Sequence, residues 1–181
     1  MPEENYEFTP HSRLMQPDEI ESLAKLFVEN GVNKIRLTGG EPLVRKDAAD
    51  IILRLAKLPV KLTLTTNATR LHDFVDVLEE AKVSSLNISL DTLDPDKFNI
   101  ITRRDSFKKV MDNINLMIAR NFHVKVNVVV MKGMNDHEIN DFIAWTKDVP
   151  VHVRFIEFMP FEGNRWTSNQ VFTWEEMLNE I

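Results

Sequence analysis

The sequence predicts an α/β fold built on a single parallel sheet, and three observations predict it. Short runs rich in Val, Ile, Leu and Thr alternate with stretches of helical period. No hairpin signal lies between the runs, so successive strands point the same way. Each strand-like run also places polar side chains on one face, whereas a parallel sheet covered by helices on both sides is apolar on both. That asymmetry suits a barrel or partial barrel whose lumen holds a polar ligand, with chemistry at the strand C-termini. The alternative is a doubly wound sheet with tolerated polar positions.

The elements follow in order. A helix starts at about Pro17, carries Ile20, Leu23, Ala24 and Phe27 on one face and stops at Gly31, with proline at its start and glycine past its end. Strands are expected near Lys34–Thr38, Val60–Thr66, Ser85–Asp91, Val124–Met131 and Val151–Phe158. Between the third and fourth, Phe107, Val110, Met111, Ile114 and Ile118 mark a second amphipathic helix. Asn135 with Glu138, and Thr173 with Glu176, have the spacing of capping boxes for two more. No linker or composition shift interrupts the array, which reads as one domain.

On the strands, Ile35/Leu37, Leu62/Leu64, Leu86/Ile88/Leu90 and Val124/Val126/Val128 form the apolar side. Alternation puts Arg36 and Thr38 on the other side, with Thr63, Thr65 and Asn67, then Asn87, Ser89 and Asp91, then Lys125 and Asn127. Arg154 alternates with Val153 and Phe155. A cation inside a strand costs several kcal/mol unless it is paired or solvated, so Arg36, Lys125 and Arg154 call for an anionic partner.

With 43% hydrophobic and 28% charged residues, the 181-residue chain has the mixture of an ordinary soluble domain. A net charge of -6 disfavours nucleic-acid binding, which needs a basic surface, so an anion site must be local. No run approaches the roughly 18 apolar residues of a membrane span and no secretory leader pattern opens the chain, which reads as cytoplasmic. Zero cysteines exclude disulfides and thiolate-bound metals within these residues. His11, His72, His123, His137 and His152 are scattered without ligand spacing and read as surface or structural histidines.

Two motifs sit at strand ends, where loops carry function. In "KIRLTGGEPLVRKD" the pair Gly39-Gly40 makes room for a ligand or a strained turn, and Pro42 ends the ladder. In "NISLDTLDP" Ser89 and Asp91 come at a strand's carboxyl end, with Asp91 either a site carboxylate or a turn cap. Met159, after the last strand, reads as packing or as a ligand contact.

Together "KIRLTGGEPLVRKD", "LTTN", "NISLDTL", "VKVNVVVMKGMND" and "RFIEFMPFEGN" resemble, in order and over nearly the whole chain, one family: the radical S-adenosylmethionine (SAM) GTP 3',8-cyclases that begin molybdenum-cofactor biosynthesis. The resemblance implies a partial (β/α)6 TIM-like barrel of parallel strands with its first strand missing. It also implies a single radical SAM core domain over 1–181, cut at both ends. It assigns Gly40, Ser89 and Met159 to SAM, and Arg36, Thr65 and Lys125 to GTP. It implies SAM and 4Fe–4S clusters as cofactors, a possible homodimer, and a downstream enzyme that forms a cyclic pyranopterin. The strand-face reading had already grouped Arg36, Thr65, Ser89 and Lys125.

The sequence departs from the family pattern at Ala68 and Lys82, where glycine is usual, and in having no cysteine. The family's CxxxCxxC motif is usually followed by Met-Pro, as at Met1-Pro2, so the chain is expected to begin just after it. Without thiolates for the cluster the chain alone should not catalyse the reaction, and no residue within it is assigned a catalytic or metal-binding role. Two rival readings remain: a non-catalytic SAM- or nucleotide-binding fragment, and a Schiff-base lyase using Lys125.

Overall fold

The computed structural model describes residues 13–159 and 170–181, so Met1-Pro2, His11 and Pro160 lie outside the described residues. It holds β1 (Lys34–Leu37), β2 (Lys61–Thr66), β3 (Ser85–Ser89), β4 (Val124–Val130) and β5 (Val151–Glu157). These form one open sheet in the order β1-β2-β3-β4-β5, every neighbouring pair parallel. The absence of a switch point is what a partial barrel requires and a doubly wound sheet lacks. β2 ends at Thr66 as expected and the other four strands stop a residue or two short of their sequence estimates, so Thr38, Asn67 and Asp91 stand in the connections just past β1, β2 and β3.

The helices are α1 (Pro17–Glu29), α2 (Ala48–Ala56), α3 (Val75–Glu80), α4 (Pro95–Thr102), α5 (Phe107–Ala119), α6 (Ile139–Asp148) and α7 (Trp174–Glu180). The core they share with the sheet joins Leu62, Leu64, Leu86, Ile88, Val124 and Val126 to Ile52, Leu55, Leu78, Ile114, Met117 and Phe142, all buried. Each fully buried aliphatic contributes about 1.5–3 kcal/mol. This core holds the polar face of the sheet in place.

Helix α1 departs from expectation. Of its apolar face Ala24 is buried and Ile20 partly so, but Leu23 and Phe27 are exposed. It packs on α2, and β1 is the sheet's edge, which leaves the face only partly covered. Gly31 follows in the left-handed region (φ +93°), as a glycine terminator should.

The two proposed capping boxes divide. Thr173 and Glu176 form theirs: the Thr173 hydroxyl accepts from the Glu176 amide (3.2 Å) and Glu176 Oε2 accepts from the Thr173 amide (2.8 Å). Asn135 and Glu138 do not, because both side chains are drawn to the loop after β3. Among the described residues no helix is long and apolar enough to cross a membrane.

Candidate functional site

The strand register turns the alternating polar residues into rows across one face. Arg36 lies beside Thr63. The next row runs Thr65, Asn87, Lys125, His152, and the one above it Ser89, Asn127, Arg154. Arg36, Thr65, Ser89 and Lys125, assigned by sequence, therefore share one face. Hydrogen bonds tie the rows together. Arg36 Nε donates to Thr63 Oγ1 (3.4 Å), Asn87 Nδ2 to Thr65 Oγ1 (3.5 Å), and Arg154 to Asn87 Oδ1 (2.6 Å). Asn87 is fully buried, so it fixes Arg154 from below.

Charge on this face has one sign. Lys34 and Lys61 pair in register at its lower end, below Arg36, Lys125 and Arg154, and the strands place no carboxylate on it. Among the described residues none of these five cations forms an ion pair, although the chain as a whole is acidic. Such a face attracts a polyanion. The buried Asn127 Oδ1 lacks a hydrogen-bond partner among the described residues, which leaves an acceptor for a ligand donor.

At the C-terminal end of β1, Gly39 (φ +90°) and Gly40 (φ +49°) both occupy the left-handed region, and a Cβ built on either would meet nothing within 4 Å. The glycines thus serve conformation and leave an open backbone surface. Glu41 fixes this turn: its carboxylate accepts from Thr66 Oγ1 (2.8 Å), the Asn67 amide (2.6 Å) and the Leu43 amide (3.2 Å). The sequence marked the glycines but not this role of Glu41. The contact spans 25 residues, and only the β1–β2 pairing brings it about.

A second clamp holds the connection after Ser89. Glu138, 4% exposed, accepts from the Thr92 hydroxyl (2.8 Å), the Leu93 amide (2.8 Å) and Lys97 Nζ (2.9 Å). Asn135 donates to the Asp91 and Val129 carbonyls and accepts from the Met131 amide (2.7 Å). The Asp91 carboxylate accepts from the Val129 amide (2.9 Å), and burial pushes its pKa up despite that bond. Met159 follows β5 at the opposite edge of the sheet from Gly40 and is 77% exposed.

The histidines are less scattered than the sequence suggests. His123, just before β4, and His152, on β5, meet at Nε2···Nδ1 3.0 Å with ring centroids 4.7 Å apart. Their separation of 29 residues carried no local signal.

These residues fit a small ligand with cationic and hydrogen-bonding parts at the glycine turn, as SAM is. They do not fit a 4Fe–4S cluster, since a chain without cysteine supplies no thiolate.

The chain is similar to known proteins along its whole length. Over its full length the chain is 47% identical to molybdenum cofactor biosynthesis protein 1 of Homo sapiens, covering 29% of that protein. It is 48% identical to the mitochondrial GTP 3',8-cyclase of Arabidopsis thaliana, again over its full length and covering 47% of that protein. The chain thus spans less than half the length of either relative. Among solved structures, native anSMEcpe with bound AdoMet superposes with a TM-score of 0.70 at 20% identity, over 90% of this chain and 48% of that one, a likeness of fold. Residues 3–146 match the sequence model of the Radical SAM superfamily, and with the parallel sheet and glycine turn already in place, the chain belongs to that superfamily.

Proposed function

We propose that the chain is the SAM- and GTP-binding core of a GTP 3',8-cyclase, acting in the first step of molybdenum-cofactor biosynthesis. The observation that carries this is the polar face itself, where cations without carboxylate partners stand below an open glycine turn. Gly40 presents backbone to the methionyl end of SAM, Ser89 supplies a hydroxyl, and Met159 packs against the same ligand. Arg36, Thr65 and Lys125 hold GTP, the cations taking the triphosphate as charge-assisted donors. The identity to two proteins named for this cyclase or this pathway supports the assignment. The electron for SAM cleavage would come from an iron–sulfur cluster, for which this chain supplies no thiolate. The residues of this chain bind and orient, setting the ribose carbon and guanine C8 for bond formation.

Calorimetric titration tests the assignment. Arg36→Ala or Lys125→Ala removes a charge-assisted hydrogen bond of about 1.5–3 kcal/mol, a loss of roughly tenfold to a hundredfold in GTP affinity. Ser89→Ala and Gly40→Val weaken SAM and spare GTP. Equal losses of both ligands in every variant would point to misfolding, and unchanged GTP affinity in the first two would remove the triphosphate from this face.

A second reading, a nucleotide-binding protein without chemistry of its own, is favoured by the absence of cysteine alone. It shares the binding assignments and differs in turnover. A second copy pairing along the exposed β1 edge, a cytoplasmic setting and an enzyme that converts the product to a cyclic pyranopterin complete the proposal.

A further inference from the structure

His123 and His152 lie on the cationic face rather than apart from it. His152 pairs in register with Lys125, and His123 stands two residues before Lys125 on the same side of β4. Their rings share one hydrogen bond at 3.0 Å, so in the neutral pair one nitrogen donates and the other accepts. Burial first, and then the charges of Lys125 and His152, hold the His123 pKa below the usual histidine value. Arg154 on β5 and Arg36, Lys34 and Lys61 on β1 and β2 share the face, and no strand residue there is acidic. Every charge facing the pair therefore opposes a further proton, and a polyanion seated on Arg36 and Lys125 reverses that balance.

We propose that the His123–His152 pair is the proton-coupled part of this polyanion site, taking up a proton when a polyphosphate binds and making affinity for it depend on pH. The inference rests on the triphosphate reading of the face given above. Linkage fixes its sign. Bound polyphosphate favours the protonated pair, so protons favour binding, and the pair's contribution to affinity grows as pH falls through the histidine range near 6.5. A ligand that carries no phosphate gains nothing from it. The pair would then discriminate polyphosphates from other occupants of the same face.

The test compares the chain with its His123→Gln/His152→Gln variant, titrated calorimetrically with GTP and with inorganic tripolyphosphate between pH 6 and pH 8. Each ligand's own phosphate titration cancels in the ratio of the two affinities. The expected result is a wild-type to variant ratio that falls roughly tenfold across that range. At pH 7, in buffers of different ionisation heat, the wild type takes up more protons than the variant. The ring Cε1–H resonances of His123 and His152, followed by NMR in the wild type, titrate at higher pH with tripolyphosphate bound, so the result does not depend on the variant folding. His72→Gln, a histidine hydrogen-bonded to Asn113 away from this face, leaves the ratio where it was. Binding with a flat ratio and unmoved resonances would overturn the coupling and leave the triphosphate site standing. No binding of either phosphate by the wild type at pH 6 would overturn both.

Discussion

At the scale of the residue, two departures from the family pattern are places where the backbone asks for glycine. Ala68 (φ +63°) and Lys82 (φ +50°) both adopt the left-handed conformation, which costs an L-residue about 1–2 kcal/mol. Lys82 is exposed, so Lys82→Gly relieves that strain and loses no packing; a stabilisation of about 1 kcal/mol is expected, read from the thermal or denaturant midpoint. Ala68 is fully buried, and Ala68→Gly gives up a methyl worth about 0.8 kcal/mol, so it should come out near neutral. Asn113 helps to hold that turn by donating to the Ala68 carbonyl (2.6 Å). Asp91 makes a prediction of opposite kind. Its folded pKa is raised by burial, so the folded state binds more protons than the unfolded one, and stability falls as pH rises through the unfolded value near 3.8 toward the raised folded one. Asp91→Asn keeps an acceptor for the Val129 amide and removes the charge, so it should stabilise the protein at pH 7 and not at pH 3. Denaturation curves at the two pH values check the sign.

At the scale of the element, the connections above the strands are held by side chains from elsewhere in the chain. The loop after β3 hangs on Glu138, whose loss leaves the Leu93 amide without its acceptor and Lys97 without its carboxylate partner. Glu138→Ala should cost about 3 kcal/mol. Hydrogen exchange should show the connection over residues 90–94 opening before β3 itself. Helix α7 hangs on Glu176, which caps it through Thr173 and also accepts from Lys132 Nζ (2.7 Å). The Lys132 ammonium and the Thr173 bonds lower the Glu176 pKa from 4.5 to about 2. A depressed carboxylate contributes stability above its unfolded pKa, and that contribution is lost as pH falls from about 4.5 toward 2. Glu176→Gln should abolish this acid transition of α7, followed by the fluorescence of Trp174 on the helix.

At the scale of the whole molecule, the chain carries a cationic polar face and no thiolate that could ligate a cluster. Anaerobic reconstitution should therefore leave iron and sulfide at background, while stoichiometric iron would overturn the reading of its ligands. The parallel array, the polar face and the grouping of Arg36, Thr65, Ser89 and Lys125 were legible in the sequence because strand alternation has a period of two and needs no knowledge of the partner strand. Thr173 and Glu176 were legible for a similar reason, since a capping box is closed by residues three apart. Asn135 and Glu138 have the same spacing, yet their side chains go to β3's loop, because a buried carboxylate is drawn to whatever donors the fold puts within reach. What only the tertiary structure decided are contacts between residues far apart in the chain: Glu41 on Thr66 and Asn67, Arg154 on Asn87, and His123 on His152. The sequence by itself determined which side chains share the polar face of the sheet, since alternation along one strand settles that. Which of them meet depends on the register between strands, a property of the assembled sheet that local sequence does not encode.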